Sequence, residues 1–230
     1  MSELGDFWSK YGDQILQALG QHLYLVGLSL LLGIIVAIPL GIILTRIPRW
    51  ATTIIAVVSI AQTVPSLVLF VLLIPILGIG TQPALTVLVL YSLLPILRNT
   101  YIGLRSVDPT LIDASRGQGM TSWEILTIVE LPLSAPIIVA GIRLSAIYLV
   151  SWATIAALIG AGGLGELIFS GIDSYDTTLL LAGAIPTALL ALIVGFVFGI
   201  LRRLVTPRGL GADKAQILLK PDLRAEVIVR

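Results

Sequence analysis

Apolar residues do not alternate along this chain; they gather in long blocks separated by short polar links. A helix rises 1.5 Å per residue, so crossing roughly 30 Å of hydrocarbon takes about 20 apolar residues. Five blocks reach that length: Leu23–Leu44, Ala51–Ile79, Ala84–Leu104, Leu133–Ile159 and Thr178–Leu201. Ala51–Ile79 is too short for two crossings and predicts one long or tilted helix kinked at Pro65. Leu23–Leu44 is expected to be a retained span, since it is too long for a cleavable leader, lacks a basic flank, and no A-x-A site follows. The fold class is therefore all-α: a polytopic membrane protein with five transmembrane helices within residues 1–205 and a polar tail at 206–230. No internal period of 20–50 residues and no second globular domain is visible.

Composition agrees. Of 230 residues, 57% are hydrophobic and 12% charged, against about 25% charged in a soluble domain. So few charges could not cover the outside of a soluble fold, and so much apolar surface excludes disorder. The net charge of +1 gives no reason to expect nucleic acid as a partner. With no Cys and a single His, His22, disulfides, thiolate chemistry and multi-histidine metal centres are excluded. His22 is expected at the outer membrane edge.

The placement of charge sets an orientation. Glu3, Asp6 and Asp13 precede the first block, Arg46 and Arg49 follow it, and Arg105 and Arg116 lie in the link after the third. Glu166, Asp173 and Asp176 occupy the link before the last block, and seven basic residues crowd the tail from Arg202 onward. Alternate links are thus basic and acidic, which puts the N-terminus outside and the C-terminus in the cytoplasm.

The link Arg105–Pro132 is too long for a turn and too polar for lipid. Asp108-Pro109 reads as an N-cap with Pro at the first helical position, opening a short helix that Gly117 and Gly119 end. Thr121-Ser122-Trp123-Glu124 fits a capping box opening a second helix that runs to a stop at Leu131-Pro132. From the residues alone, this is either a hairpin packed on lipid headgroups or a docking element for a cytoplasmic partner.

One resemblance decides between them. Asp113-Ala114-Ser115, three residues, Gly119, nine residues, then Val129-Glu130-Leu131-Pro132 resembles the E-A-A-x3-G-x9-I-x-L-P loop of binding-protein-dependent ABC importer permeases. Asp113, Ser115 and Val129 depart mildly from that pattern. Further stretches, among them Leu94–Tyr101, Ala140–Arg143 and Ile159–Gly165, resemble its osmoprotectant branch, which imports glycine betaine, carnitine and choline. The resemblance implies a methionine-importer-type permease fold in a bacterial cell membrane. It also implies that Asp113, Ala114, Ser115, Gly119, Trp123, Leu131 and Pro132 belong to a coupling element seated in an ATPase dimer. A second permease subunit, identical or homologous, and a separate extracytoplasmic substrate-binding protein complete the implied assembly. ATP and Mg would be held by the ATPase, with no cofactor in this chain.

The remaining motifs fit a conduit better than an enzyme. No G-x-x-x-x-G-K-[ST] sequence is present, so P-loop binding of ATP is excluded. Gly160–Gly165 matches G-x-G-x-x-G but follows a span rather than a strand. It reads instead as a flexible outer link, with Gly162, Gly163 and Leu164 as a candidate gate. Tyr148 and Trp152, four apart, share a helix face that could pass a quaternary ammonium by cation–π contact, or simply pack. Arg143, about 15 Å beyond Pro132 along a helix, is a candidate for the pathway wall or for pairing with Glu130 or a partner's acid. An ion-coupled transporter is disfavoured because none of the five blocks contains Asp or Glu.

Overall fold

A computed structural model describes residues 2–207, and all regular structure among them is helical. In order these are α1 (Ser2–Arg46), α2 (Pro48–Thr63), α3 (Ser66–Leu77), α4 (Thr81–Arg105), α5 (Pro109–Gly117), α6 (Ser122–Glu124), α7 (Leu131–Ala156), α8 (Leu164–Asp173) and α9 (Thr177–Val205). Of the expected tail, only Thr206 and Pro207 fall within the described residues.

The central element is α4, with α1 packed along one side and α7 along the other; α9 lies against α7, and α8 against α9. Small residues let these helices approach, as expected where lipid supplies no hydrophobic drive between them. A Cβ on Gly41 of α1 would come within 2.7 Å of Thr100 on α4, and one on Gly141 of α7 within 2.5 Å of Asn99. Between the helices lie short polar ties, such as Ser145 Oγ donating to the Ser92 carbonyl at 3.1 Å.

Among the described residues, four helical segments are each long and apolar enough to span a membrane, and α2 with α3 qualifies only as a pair. The single kinked helix expected over Ala51–Ile79 is corrected here: α2 and α3 meet at 92°. The residue before a proline is pushed toward extended backbone, and Val64 takes φ −78°, ψ 132°. That breaks the helix and strands the Val64 carbonyl. The Tyr91 hydroxyl donates to it at 2.6 Å, while Gln62 Nε2 donates to the Tyr91 carbonyl at 2.9 Å. The break is thereby held open by α4.

α1 also differs from expectation. It begins at Ser2, twenty-one residues before the first apolar block, and is about 67 Å long. His22 is fully buried, with Nε2 3.1 Å from the Val150 carbonyl of α7. The N-terminal part of α1 is tied to the start of α9, where the Tyr11 hydroxyl donates to Asp176 at 3.0 Å. Asp176 also caps α9 by accepting from the Thr178 and Leu179 N–H groups. The Leu179 N–H, then the Tyr11 hydroxyl, hold its carboxyl below the usual range.

Candidate functional site

The α5–α6 link forms as its sequence directs, up to one point. Asp108 Oδ1 accepts from the Thr110 N–H at 2.8 Å, capping α5, and this bond holds the Asp108 carboxyl below its ordinary range. At the other end, the Met120 N–H donates to the Ser115 carbonyl and the Gly119 N–H to the Arg116 carbonyl. That pair of bonds is a Schellman closure. It requires a left-handed residue, and Gly119 supplies φ +84°. Thr121 and Glu124 then form both bonds of the capping box.

The stop expected at Leu131-Pro132 is absent. α6 runs through a π-helical turn, Ile125–Glu130, straight into α7. Proline normally clashes with the carbonyl four residues back. The wider π turn, in which the Leu131 N–H reaches back to the Leu126 carbonyl, lets the helix pass Pro132 unbroken. Leu131 is half-buried and Pro132 exposed on this continuous rod. The link is therefore one short helix, a glycine turn, and the first turn of a long apolar helix.

Asp113 and Ala114 are exposed, and Arg116 Nη1 lies 3.2 Å from Asp113. Ser115 is buried, with its hydroxyl donating to the Leu111 carbonyl at 2.7 Å. Trp123 is 70% exposed and Leu111 is also exposed, so the bend presents an aromatic and an aliphatic group outward among charges. Beneath α5 lies a cleft of about 320 Å³ lined by Arg46, Leu104, Arg105, Ile112, Asp113 and Glu130.

Glu130 settles one expectation in that cleft. Its carboxylate is gripped by Arg46 at the end of α1, with Nη2–Oε2 at 2.6 Å and Nη1–Oε1 at 3.4 Å. Pairing with Arg143 is thus corrected; the two lie about 20 Å apart along the same rod. The Arg46–Glu130 tie was missed by sequence reading. Its only signal there was an acid at the mouth of a span, which needs a partner.

The three pathway candidates are not brought together. Tyr148 packs on Trp152 with ring centroids 5.3 Å apart, and Trp152 on Tyr91 of α4 at 4.6 Å. Tyr148 is 41% exposed at the end of this row. Arg143 points elsewhere, about 140° round the helix from Tyr148, against Gly195 and Gly199 of α9. Tyr91 is the member of the aromatic row that sequence reading missed.

The expected glycine link between α7 and α8 folds as a turn. Gly160, Gly162 and Gly163 all have positive φ, and the Gly163 N–H donates to Gln21 Oε1 at 2.9 Å. Leu164 is fully buried as the first residue of α8. The next residue, Gly165, rests against the Thr154 carbonyl, where a Cβ would collide with backbone.

Comparison with known proteins places this architecture. A family described as "Binding-protein-dependent transport system inner membrane component" matches residues 29–209. The carnitine transport permease protein of Listeria monocytogenes is 50% identical over 210 residues, covering 91% of this chain and 96% of that protein. The glycine betaine/carnitine/choline transport system permease protein of Bacillus subtilis (strain 168) is 47% identical over 214 residues, covering 93% and 99%. Among solved structures, an inward-facing conformation of the MetNI methionine ABC transporter matches with a TM-score of 0.77 and 25% identity, covering 84% of this chain and 96% of that one.

Proposed function

This chain belongs to the inner membrane components of binding-protein-dependent transport systems, and from that premise we propose that it is the permease subunit of an ABC importer for quaternary-amine osmoprotectants. The observation that carries the substrate class is identity of 50% and 47%, over nearly the whole of both chains, to permeases named for carnitine and for glycine betaine, carnitine and choline. The chain sits in the bacterial inner membrane as a multi-pass protein and hydrolyses nothing; ATP and Mg are bound by a separate ATPase dimer.

In this reading α2 and α3 make one bent crossing, giving five in all, with the N-terminus outside. A second permease, identical or homologous, encloses the path, and a loaded binding protein docks outside. The ATPase grips α5 and α6 through Asp113, Ala114, Ser115 and Trp123, with Gly119 setting their angle and Leu131-Pro132 joining them to the span. Exposed Trp123 and the closed Gly119 turn support this assignment. Tyr148, backed by Trp152 and Tyr91, offers a π face suited to a quaternary ammonium held only weakly. The turn at Gly162, Gly163 and Leu164 gates the outer end by releasing Gln21.

Uptake of labelled carnitine, choline and glycine betaine by cells expressing the whole system tests the proposal, with methionine as the contrast. Uptake should stop on ATP depletion and survive collapse of the ion gradients. Trp123→Ala should reduce co-purification of the ATPase without lowering the thermal stability of the permease. Methionine uptake in place of the three amines would overturn the substrate class, and undiminished ATPase recovery with Trp123→Ala would overturn the docking role. Normal uptake by a Gly162→Ala/Gly163→Ala variant would remove the gate.

A further inference from the structure

Near the cytoplasmic end of α9 is a cleft of about 410 Å³ whose lining includes Arg143 of α7 with Gly195, Gly199, Arg202 and Arg203 of α9. The two glycines put no side chain between the helices, so the Arg143 guanidinium lies close beside α9 there. A Cβ on Gly199 would sit 3.7 Å from its Cζ. No acidic residue among the described ones lines the cleft. Among the described residues the ion pairs employ Arg46 and Arg116, so Arg143, Arg202 and Arg203 have none. Guanidinium groups stay ionised at any accessible pH. Three of them facing one small volume repel one another, and Arg143 lies within a helix long and apolar enough to span a membrane, where an unpaired charge is unfavourable. The arrangement calls for an anion.

We propose that this cleft binds the phosphodiester headgroup of an anionic phospholipid. Phe196, Ile200 and Leu204 are exposed and recur every four residues, forming an apolar stripe beside the cleft along which acyl chains can lie. α9 also has the least of its surface covered by the rest of the chain among the four long spans. A basic pocket between helices on the cytoplasmic side is the setting in which acidic headgroups bind. An identical second copy is a poor source of the anion. Of its acids on this side, Glu130 is paired with Arg46, Asp113 with Arg116, Asp108 with the α5 cap and Glu124 with the α6 cap. The inference rests on the orientation proposed above only for the leaflet involved.

The test is native mass spectrometry of the permease–ATPase complex in mild detergent, titrated with phosphatidylglycerol or phosphatidylcholine. Phosphatidylglycerol should be retained in preference. Arg202→Gln/Arg203→Gln should weaken its binding about 30-fold, equivalent to about 2 kcal/mol at 1.4 kcal/mol per tenfold, while Arg202→Lys/Arg203→Lys keeps most of it. Both residues are exposed, and equal thermal stability of the two variants would exclude misfolding; the single Arg202→Gln variant serves if the pair fails to assemble. Equal retention of the two lipids, or no loss with the glutamine variants, would overturn the proposal. So would displacement of phosphatidylglycerol by millimolar inorganic phosphate or by carnitine, which would make the site one for a free anion or for the transported solute. Lipid binding that emerges only after Asp213, Asp222 and Glu226 are changed to amides would assign the cleft to the chain's own tail. The readout is bound lipid rather than uptake, so it stands or falls separately from the substrate class.

Discussion

Breaking the Arg46–Glu130 tie should have effects that depend on which partner is removed. The Glu130 side chain is only 7% exposed, whereas that of Arg46 is 45% exposed. Removing one partner of a fully buried pair costs about 3–5 kcal/mol, because a charge is left buried and alone, while exposed pairs are worth under about 1 kcal/mol. This pair is half of each kind. Arg46→Ala strands the buried carboxylate and should cost about 2–3 kcal/mol. Glu130→Gln leaves a guanidinium that can turn to water or keep one hydrogen bond, and should cost about 1 kcal/mol. The double variant removes the stranded charge and should be more stable than Arg46→Ala alone. For a protein of this size 1 kcal/mol corresponds to about 2–4 °C in Tm. Thermal unfolding of the purified complex should therefore show Arg46→Ala lowest, the double variant intermediate and Glu130→Gln highest. Equal losses for the two single variants, or strict additivity in the double, would refute the argument from unequal burial.

Three further outcomes follow from the same geometry. Gly119→Ala meets no atom within 4 Å but must hold φ +84°, so its cost is conformational alone, about 1 kcal/mol; Tm should fall by a few degrees, with Gly119→Asn milder and ATPase recovery reduced in both. Gly165→Ala should destabilise by about 3 kcal/mol, since its Cβ would strike the Thr154 carbonyl, whereas Gly20→Ala, with nothing within 4 Å, should stabilise α1 by up to about 1 kcal/mol; calorimetry of the two variants checks the contrast. The Asp176 carboxyl has a lowered pKa in the folded state, so its contribution is present above the unfolded carboxylate value of about 3.9 and is lost as pH falls through the folded one. Tm should drop more steeply between pH 5 and pH 3 in the parent than in Asp176→Asn, which keeps the capping oxygen but does not titrate.

Much of this was legible in the chain because membranes enforce simple rules. Apolar length marked the long helices, and the cytoplasmic element showed in caps that act locally: Asp108, Gly119 and the Thr121–Glu124 box all formed as their spacing directs. What failed was non-local. Whether Pro65 bends or breaks its helix depends on Tyr91 being near enough to receive the Val64 carbonyl. Pro132 reads as a terminator until a π turn absorbs its clash, and hydrophobic periodicity carries no trace of that turn. The burial of His22 against α7 is not legible at the edge of an apolar block, because α1 extends past that block and turns the imidazole toward Val150. Arg143 and Tyr148 are separate pathway candidates, one by its depth along the helix and one by sharing a face with Trp152, and helical phase turns them apart.

The unbroken passage from Ser122 to Ile159 spans 38 residues, about 57 Å. A beam that stiff pivots rather than flexes. Tilting it 5° about its midpoint moves each tip by about 2.5 Å, in opposite directions. A push delivered to Trp123 thus reaches the far tip as a displacement of reversed sign, with no relay of side chains in between. If the ATPase docks at Trp123 as proposed, one rigid tilt of this helix would move both ends of the path at once.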